Sequence, residues 1–263
     1  MGKNWAKGLT AATDRRIARN GAARRGLRYK TKRSAARRLE WSVGLAYALG
    51  LTATDGCLSR DRRHITFVSK DRSLVETFLR CVGRQDVRIL PTRTRTGGRA
   101  FRAPFSDVTL YDWLSARGIT PAKSLTLGAI EAPRALLPHL LRGLLDGDGT
   151  IYIGRHRPTP RQYPQYWYVR FWTYFASASP RHIEWLRNEI RNEYGLNGYV
   201  ERIVRKGRRD FYRLKFGKRD SLALLPILYR DATWPSLQRK RRKWTTYNDT
   251  LQPRELQSLA VTR

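Results

Sequence analysis

Two short stretches, LGLTATDG (49–56) and RGLLDGDG (142–149), share the pattern x-Gly-Leu-x-x-x-Asp-Gly and set Asp55 and Asp148 at the ends of apolar runs. A helix C-terminus carries about half a negative charge, and its last four carbonyls lack intrahelical partners. A carboxylate there is opposed by the dipole, and a second one alongside makes the placement worse. A divalent cation removes both difficulties, because hard carboxylate and carbonyl oxygens are what Mg²⁺ takes. Asp55 and Asp148, with the carbonyl-bearing residues Thr54 and Gly147 before them, form the candidate metal set, with Mn²⁺ as a substitute ion. A metal beside a phosphate, with water in its shell, is the machinery of phosphodiester hydrolysis. An Asp-Gly turn that merely ends a helix accounts for either copy alone; recurrence at equivalent places favours the metal. Asp146 lies off the repeat, since Ala53 stands in its place in the first copy, and is read as part of such a turn.

Gly50 and Gly143 lie six residues before Gly56 and Gly149. Glycine inside a helix costs about 1 kcal/mol against alanine, so two at matching places need a reason. Close backbone crossing of the two helices supplies it, and would stand the two aspartates side by side.

The elements that must position them repeat as well. EWSVGLAYALGLTATDG reads as a helix with Val43, Tyr47, Gly50 and Leu51 on one face. A hairpin (57–71), a helix capped by Asp71, a hairpin turning at Gly97-Gly98 and a short closing helix follow. The order recurs: a helix from Pro133, a longer hairpin, a helix capped by Ser179, a hairpin around 206–209 and a closing helix, DSLALLPILYRD. Asp55 and Asp148 are 93 residues apart, whereas Ser69/Ser177 and Glu76/Glu184 are each 108 apart. The second copy thus has a longer first hairpin, where Pro158, Pro160 and Pro164 cluster. The fold expected is α+β, one αββαββα module duplicated. Its parts are a basic N-terminal arm (1–38), a first module (39–122), a linker (123–133), a second module (134–245) and a C-terminal tail (246–263).

Lys and Arg total 53 against 21 Asp and Glu among 263 residues, a formal charge of +32. Such an excess repels itself in the compact state and calls for a polyanionic partner, nucleic acid first, because neutralised phosphates release counterions. The longest nearly apolar run, 43–53, is far short of the ~20 residues that span a bilayer. The two cysteines, Cys57 and Cys81, form no CxxC pair, and the four histidines show no metal-ligand spacing. No apolar segment follows the basic start, so a soluble, intracellular protein is expected, in cytoplasm or organelle matrix.

On these residues, ALGLTATDG and LRGLLDGDG resemble the two motif copies of the single-chain LAGLIDADG homing endonucleases, over roughly residues 41–245. The resemblance implies a pseudo-twofold monomer in which two central motif helices carry two saddle-like antiparallel sheets lying in the DNA major groove. It implies that Asp55 and Asp148 bind Mg²⁺ and cut one strand each, leaving 3′ overhangs, and that the gene lies within an intron. An intein origin is not expected, as the chain ends in AVTR without splicing residues. It also implies a basic residue near each site, placing Lys123 and Lys240 there, the latter among Arg239, Arg241, Arg242 and Lys243 that could substitute. Thr52, Thr54 and Arg142 depart from the common motif without removing a metal ligand.

Strand alternation supplies the DNA surface. Tyr168, Arg170, Trp172 and Tyr174 share one face; Trp167, Val169, Phe171 and Phe175 share the other, expected to be core. Arg213 and Lys215 oppose Tyr212, Leu214 and Phe216. Arg155 and Arg202 or Arg205, with Arg60, Arg62, His64, Thr66, Arg93, Arg95 and Arg102 of the first copy, extend the surface. Arginine pairs bidentately with guanine in the major groove, though many such cations touch phosphate instead. A non-catalytic use of the scaffold, as a maturase for host intron RNA or a DNA-binding regulator, is the alternative.

Overall fold

The computed structural model describes residues 9–10, 12–24, 38–94, 96–157, 167–207 and 209–251. The chain divides into two units, Met1–Arg37 and Arg38–Arg263. In the first, helix α1 (Arg15–Arg24) is capped by Asp14, whose carboxylate accepts the Arg16 amide at 2.8 Å. The basic N-terminal arm is helical over this stretch; most of the rest of it lies outside the described residues.

The second unit runs α2 (Val43–Asp55), β1 (Gly56–Leu58), β2 (His64–Ser69), α3 (Arg72–Cys81), β3 (Leu90–Arg93), β4 (Arg99–Ser106) and α4 (Val108–Ser115). Two 3₁₀ turns, Lys123–Leu125 and Arg134–Leu136, lead into α5 (Leu137–Asp148), β5 (Thr150–His156), β6 (Tyr168–Ser177), α6 (Pro180–Tyr194), β7 (Tyr199–Ile203), β8 (Phe211–Phe216), α7 (Lys218–Leu228) and α8 (Gln238–Asn248). The four-stranded antiparallel sheets have the same order, β1-β2-β4-β3 and β5-β6-β8-β7. The fold is α+β, one unit twice.

The two motif helices pack on each other at the centre, and the glycines show how. A methyl group built on Gly50 would collide with the Leu140 carbonyl oxygen and stand 2.8 Å from the Leu144 amide and 2.9 Å from Gly143 Cα. One built on Gly143 would collide with the Tyr47 carbonyl oxygen and stand 3.0 Å from Gly50 Cα and the Leu51 amide. Tyr47 and Leu140 each lie three residues before a glycine, and Leu51 and Leu144 one after, so the contacts are reciprocal, as a pseudo-twofold axis requires. Helix α2 is buried all round from Leu45 to Ala53 rather than along a stripe, because α5 and its own sheet enclose it. Ser42 accepts the Leu45 amide at 3.1 Å and caps its start.

Each sheet packs one face under helices. Ile65, Phe67, Ala103 and Phe105 are buried in the first sheet, Ile151, Phe171, Phe175, Leu214 and Phe216 in the second. Phe67 stacks on Phe78 of α3 at 4.3 Å, and Phe171 on Tyr247 of α8 at 4.3 Å. Burying each such side chain contributes about 1.5–3 kcal/mol. Helix α8 is an element the sequence did not reveal. Its buried stripe is Lys240, Trp244 and Tyr247, at helical spacing but masked by surrounding cations. Trp167 and Val169, assigned to the core by alternation, are 42% and 43% exposed, because the β5–β6 hairpin outruns the helices beneath it. Among the described residues no helix is long and apolar enough to cross a membrane.

Candidate active site

Helices α2 and α5 end at Asp55 and Asp148, and both carboxyl groups line one cleft of about 560 Å³ with Thr54, Val68, Asp71, Gly147 and Arg239. Gly56 and Gly149 continue in extended conformation, with ψ of 153° and 176°. The chain therefore passes from each acid straight into a strand, and a left-handed helix-ending turn is formed by neither copy. Burial among crowding atoms pushes the Asp55 carboxyl up to about 7, with repulsion from Asp148 the next cause and Lys240 and Lys123 opposing it. Asp148 is open to solvent on one side, yet the atoms around its carboxyl displace enough water to raise it as well. Burial thus outweighs the two nearby lysines, and a further positive charge in the cleft would favour the ionised pair.

Thr54 turns its hydroxyl back to the Leu51 carbonyl at 3.0 Å, which leaves its backbone oxygen as the atom it could offer an ion. Gly147 stands against it: a methyl group on Gly147 would strike the Thr54 hydroxyl. Among the described residues no group of three or more His, Cys, Asp or Glu converges as a metal cluster. The available donor set is the acid pair with helix-end carbonyls, which fits a hard cation that keeps part of its water.

Lys123 and Lys240 lie beneath the acids, 6% and 5% exposed, in equivalent places. The Lys123 ammonium donates to the Gly56 carbonyl. The Lys240 ammonium donates to the matching Gly149 carbonyl at 2.7 Å and also to Leu145 (2.6 Å), Asp146 (2.8 Å) and, more weakly, Gly147 (3.4 Å). They satisfy orphaned carbonyls at the helix ends and place cations where the dipoles are negative. Neither is a surface cation free to roam over phosphates. Burial drives the Lys240 ammonium down to about 8 and lowers Lys123 too. Of the five basic residues at 239–243, the structure buries Lys240 beneath the acids.

Sequence reasoning misplaced Asp146 and Asp71 and gave Arg142 no role. Asp146 is no turn residue: it is 1% exposed inside α5 and accepts bonds from the Tyr47 hydroxyl (2.8 Å), the Tyr229 hydroxyl (2.6 Å) and the Leu237 amide (2.7 Å). Arg142, one turn earlier, is fully buried and donates to the Leu228 and Pro235 carbonyls at 2.9 and 2.8 Å. Asp71 makes no side-chain cap for α3 and pairs at 3.1 Å with Arg239 of α8, across the rim of the cleft. A polar residue inside an apolar helix, as at Asp146 and Arg142, was the available signal.

The strand register sorts the proposed surface residues. Tyr174 pairs with Lys215, Gly154 with Arg170 and Ala176 with Arg213, so Arg170, Tyr174, Arg213 and Lys215 share the face away from the helices, with Tyr152 and Trp172. Arg205 follows β7 and lies over Phe211, beside Arg213 and Asp148. In the first sheet Thr66 pairs with Pro104 and Val68 with Arg102, which sets His64, Thr66 and Arg102 on the corresponding face. Three residues fall on the other side. Arg155 pairs with Val169, Arg202 with Tyr212 and Arg93 with Arg99, all on the helix-side face. Arg202 is also bound at 2.7 Å to Asp210. Their assignment overlooked the two-residue repeat that their strands obey. Arg60 and Arg62 lie in the turn between β1 and β2, Arg62 with a positive φ of 60°; Arg95 lies outside the described residues.

No protein-family model and no curated protein sequence matches the chain. Its fold is that of solved structures of low identity. The homing endonuclease I-WcaI, bound to its DNA recognition sequence, is 11% identical over 77% of this chain and 88% of that one, with a TM-score of 0.52. The meganuclease I-SmaMI, bound to uncleaveable DNA with a TTCT central four, is 11% identical over 84% and 97%, also at 0.52. Full-length DUF199/WhiA from Thermatoga maritima is 13% identical over 86% and 68%, at 0.48.

Proposed function

We propose that this chain, which has the fold of the two-motif LAGLIDADG proteins, is a monomeric, Mg²⁺-dependent, site-specific double-strand DNA endonuclease. The observation that carries the reading is the acid pair: Asp55 and Asp148 are delivered by two crossed helices into one cleft, next to two sheet faces bearing cations. Bound there, Mg²⁺ would supply an activated water and stabilise charge developing on the scissile phosphate. Asp55 and Asp148 hold that ion, with the Thr54 and Gly147 carbonyls as further oxygens. Lys123 and Lys240 hold positive charge under the acids, which eases the approach of phosphate to a carboxylate pair. His64, Thr66 and Arg102 on one sheet, and Arg170, Tyr174, Arg213 and Lys215 on the other, face duplex DNA. The formal charge of +32 drives that association through counterion release. Cleavage leaving 3′ overhangs and an intron-borne gene complete the reading, on the resemblance of the motifs.

A duplex selected from a random library by binding to the protein provides the substrate. The wild type is expected to cut both strands with Mg²⁺ or Mn²⁺ and neither with EDTA. Asp55→Asn and Asp148→Asn are each expected to bind that duplex and fail at double-strand cutting. Unaltered cutting by either variant refutes the catalytic assignment. Tight binding without cutting by the wild type supports a DNA-binding regulator, and preference for a structured intron RNA supports a maturase.

A further inference from the structure

The two lysines are held by different means. Lys123 sits on a single 3₁₀ turn, and among the described residues its ammonium has one carbonyl partner. Lys240 is on the first turn of α8, and its ammonium is held by a cage of four carbonyls. The backbone that brings Lys240 there is tied down by a group with no counterpart in the first copy. Leu237 is the N-cap residue of α8, and its amide donates to the Asp146 carboxylate at 2.7 Å. The same carboxylate receives Tyr47 from α2 and Tyr229 from the segment after α7, so one buried side chain on α5 joins four parts of the chain. In the first copy Ala53 occupies that place and offers no acceptor. A buried carboxylate with three donors has its lone pairs well used, and removing it would strand two hydroxyls and an amide.

We propose that Asp146 is a positioning residue for Lys240: it fastens the start of α8 to both motif helices and thereby sets the lysine at the second acid, whereas Ala53 gives the first site no equivalent carboxylate and the stretch after Lys123 is tied to Ser179 and His182 of the α6 start instead. The cutting of one DNA strand therefore depends on Asp146 and that of the other does not, a consequence that rests on the nuclease reading. The anchoring itself does not rest on it.

Two measurements separate these. The first needs no DNA. Lysine acylation by a water-soluble ester, read by mass spectrometry, is compared in the wild type, Asp146→Asn and Tyr229→Phe. In the wild type Lys240 is protected relative to exposed Lys243 on the same helix. In Asp146→Asn, labelling of Lys240 is expected to rise at least tenfold while Lys123 stays as protected as before. Tyr229→Phe leaves the Leu237 contact in place and is expected to leave Lys240 protected. Equal rises at Lys123 and Lys240 would mean general loosening and overturn the proposal, as would an unchanged Lys240. The second measurement labels each strand of the binding-selected duplex. Asp146→Asn is expected to slow, by tenfold or more, the strand slowed by Lys240→Met and not the one slowed by Lys123→Met. Equal slowing of both strands would overturn the strand assignment. A wild type that cuts neither strand refutes the nuclease reading and leaves the acylation result to decide the anchoring.

Discussion

Gly50→Ala tests the crossing of the motif helices. The new methyl carbon would meet the Leu140 carbonyl oxygen, the Leu144 amide and Gly143 Cα, every one a backbone atom, so no side-chain rotation relieves it. The helices would have to separate by roughly 1 Å, and a gap of that size forfeits about a quarter to a half of each dispersion contact along the seam. A buried leucine makes about 40–60 such contacts at about 0.15 kcal/mol each, and about half of them face the seam, so loosening two or three leucines by that amount removes roughly 3–5 kcal/mol. Alanine returns about 1 kcal/mol of helix propensity, leaving a net loss of about 2–4 kcal/mol. For a unit of this size that is a fall in Tm of about 4–16 °C. Gly44→Ala, in the same helix, is the control. Its methyl would lie 3.5 Å from Cys81, an ordinary contact, so the propensity gain should stand alone. Thermal and urea unfolding of both variants against the wild type decide the matter. A Gly50→Ala protein as stable as Gly44→Ala would refute the close-crossing account.

Three further outcomes follow from the site and the sheets. Asp55 titrates near 7 in the fold against an ordinary 3.8, so between those values the folded protein binds more protons than the unfolded chain. Stability in EDTA is thus expected to fall as pH rises from about 4 to 7, and Asp55→Asn to exceed the wild type by about 1–3 kcal/mol at pH 8 while matching it at pH 4; equal stability at pH 8 counts against a strained acid pair. Arg213→Ala, on the face away from the helices, should weaken binding to the selected duplex about tenfold, while Arg202→Ala, on the opposite face and paired with Asp210, changes it by less than about threefold. A reversed ranking in a fluorescence-anisotropy titration would mean the wrong face has been assigned. Binding should also fall steeply with salt, with a log–log slope of about −4 or steeper; a flat response excludes a phosphate-dominated interface.

Local signals were legible wherever the chain obeys a short period. The repeat of glycine and aspartate, the hairpins and the cap at Ser179 depend on neighbours within a few residues, and residue types state them. Alternation also separated Arg213 and Lys215 from Leu214 and Phe216. It misled at Trp167 and Val169, because how far a helix covers a strand is set by another part of the chain. Helix α8 was hidden for a related reason: a lysine whose ammonium is held by carbonyls behaves as a core residue only once those carbonyls are in place.

The order of elements from α2 to α7, their duplication, the two acids and the excess of positive charge were legible in the sequence alone, because each is a property of residue type and spacing. Tertiary structure decided what Asp146 and Arg142 do, which lysine at 239–243 is buried, and that Asp71 serves Arg239 rather than its own helix. Those outcomes join residues as much as 168 positions apart. A buried charge or carboxyl takes its meaning from donors that only the completed fold brings within hydrogen-bonding reach.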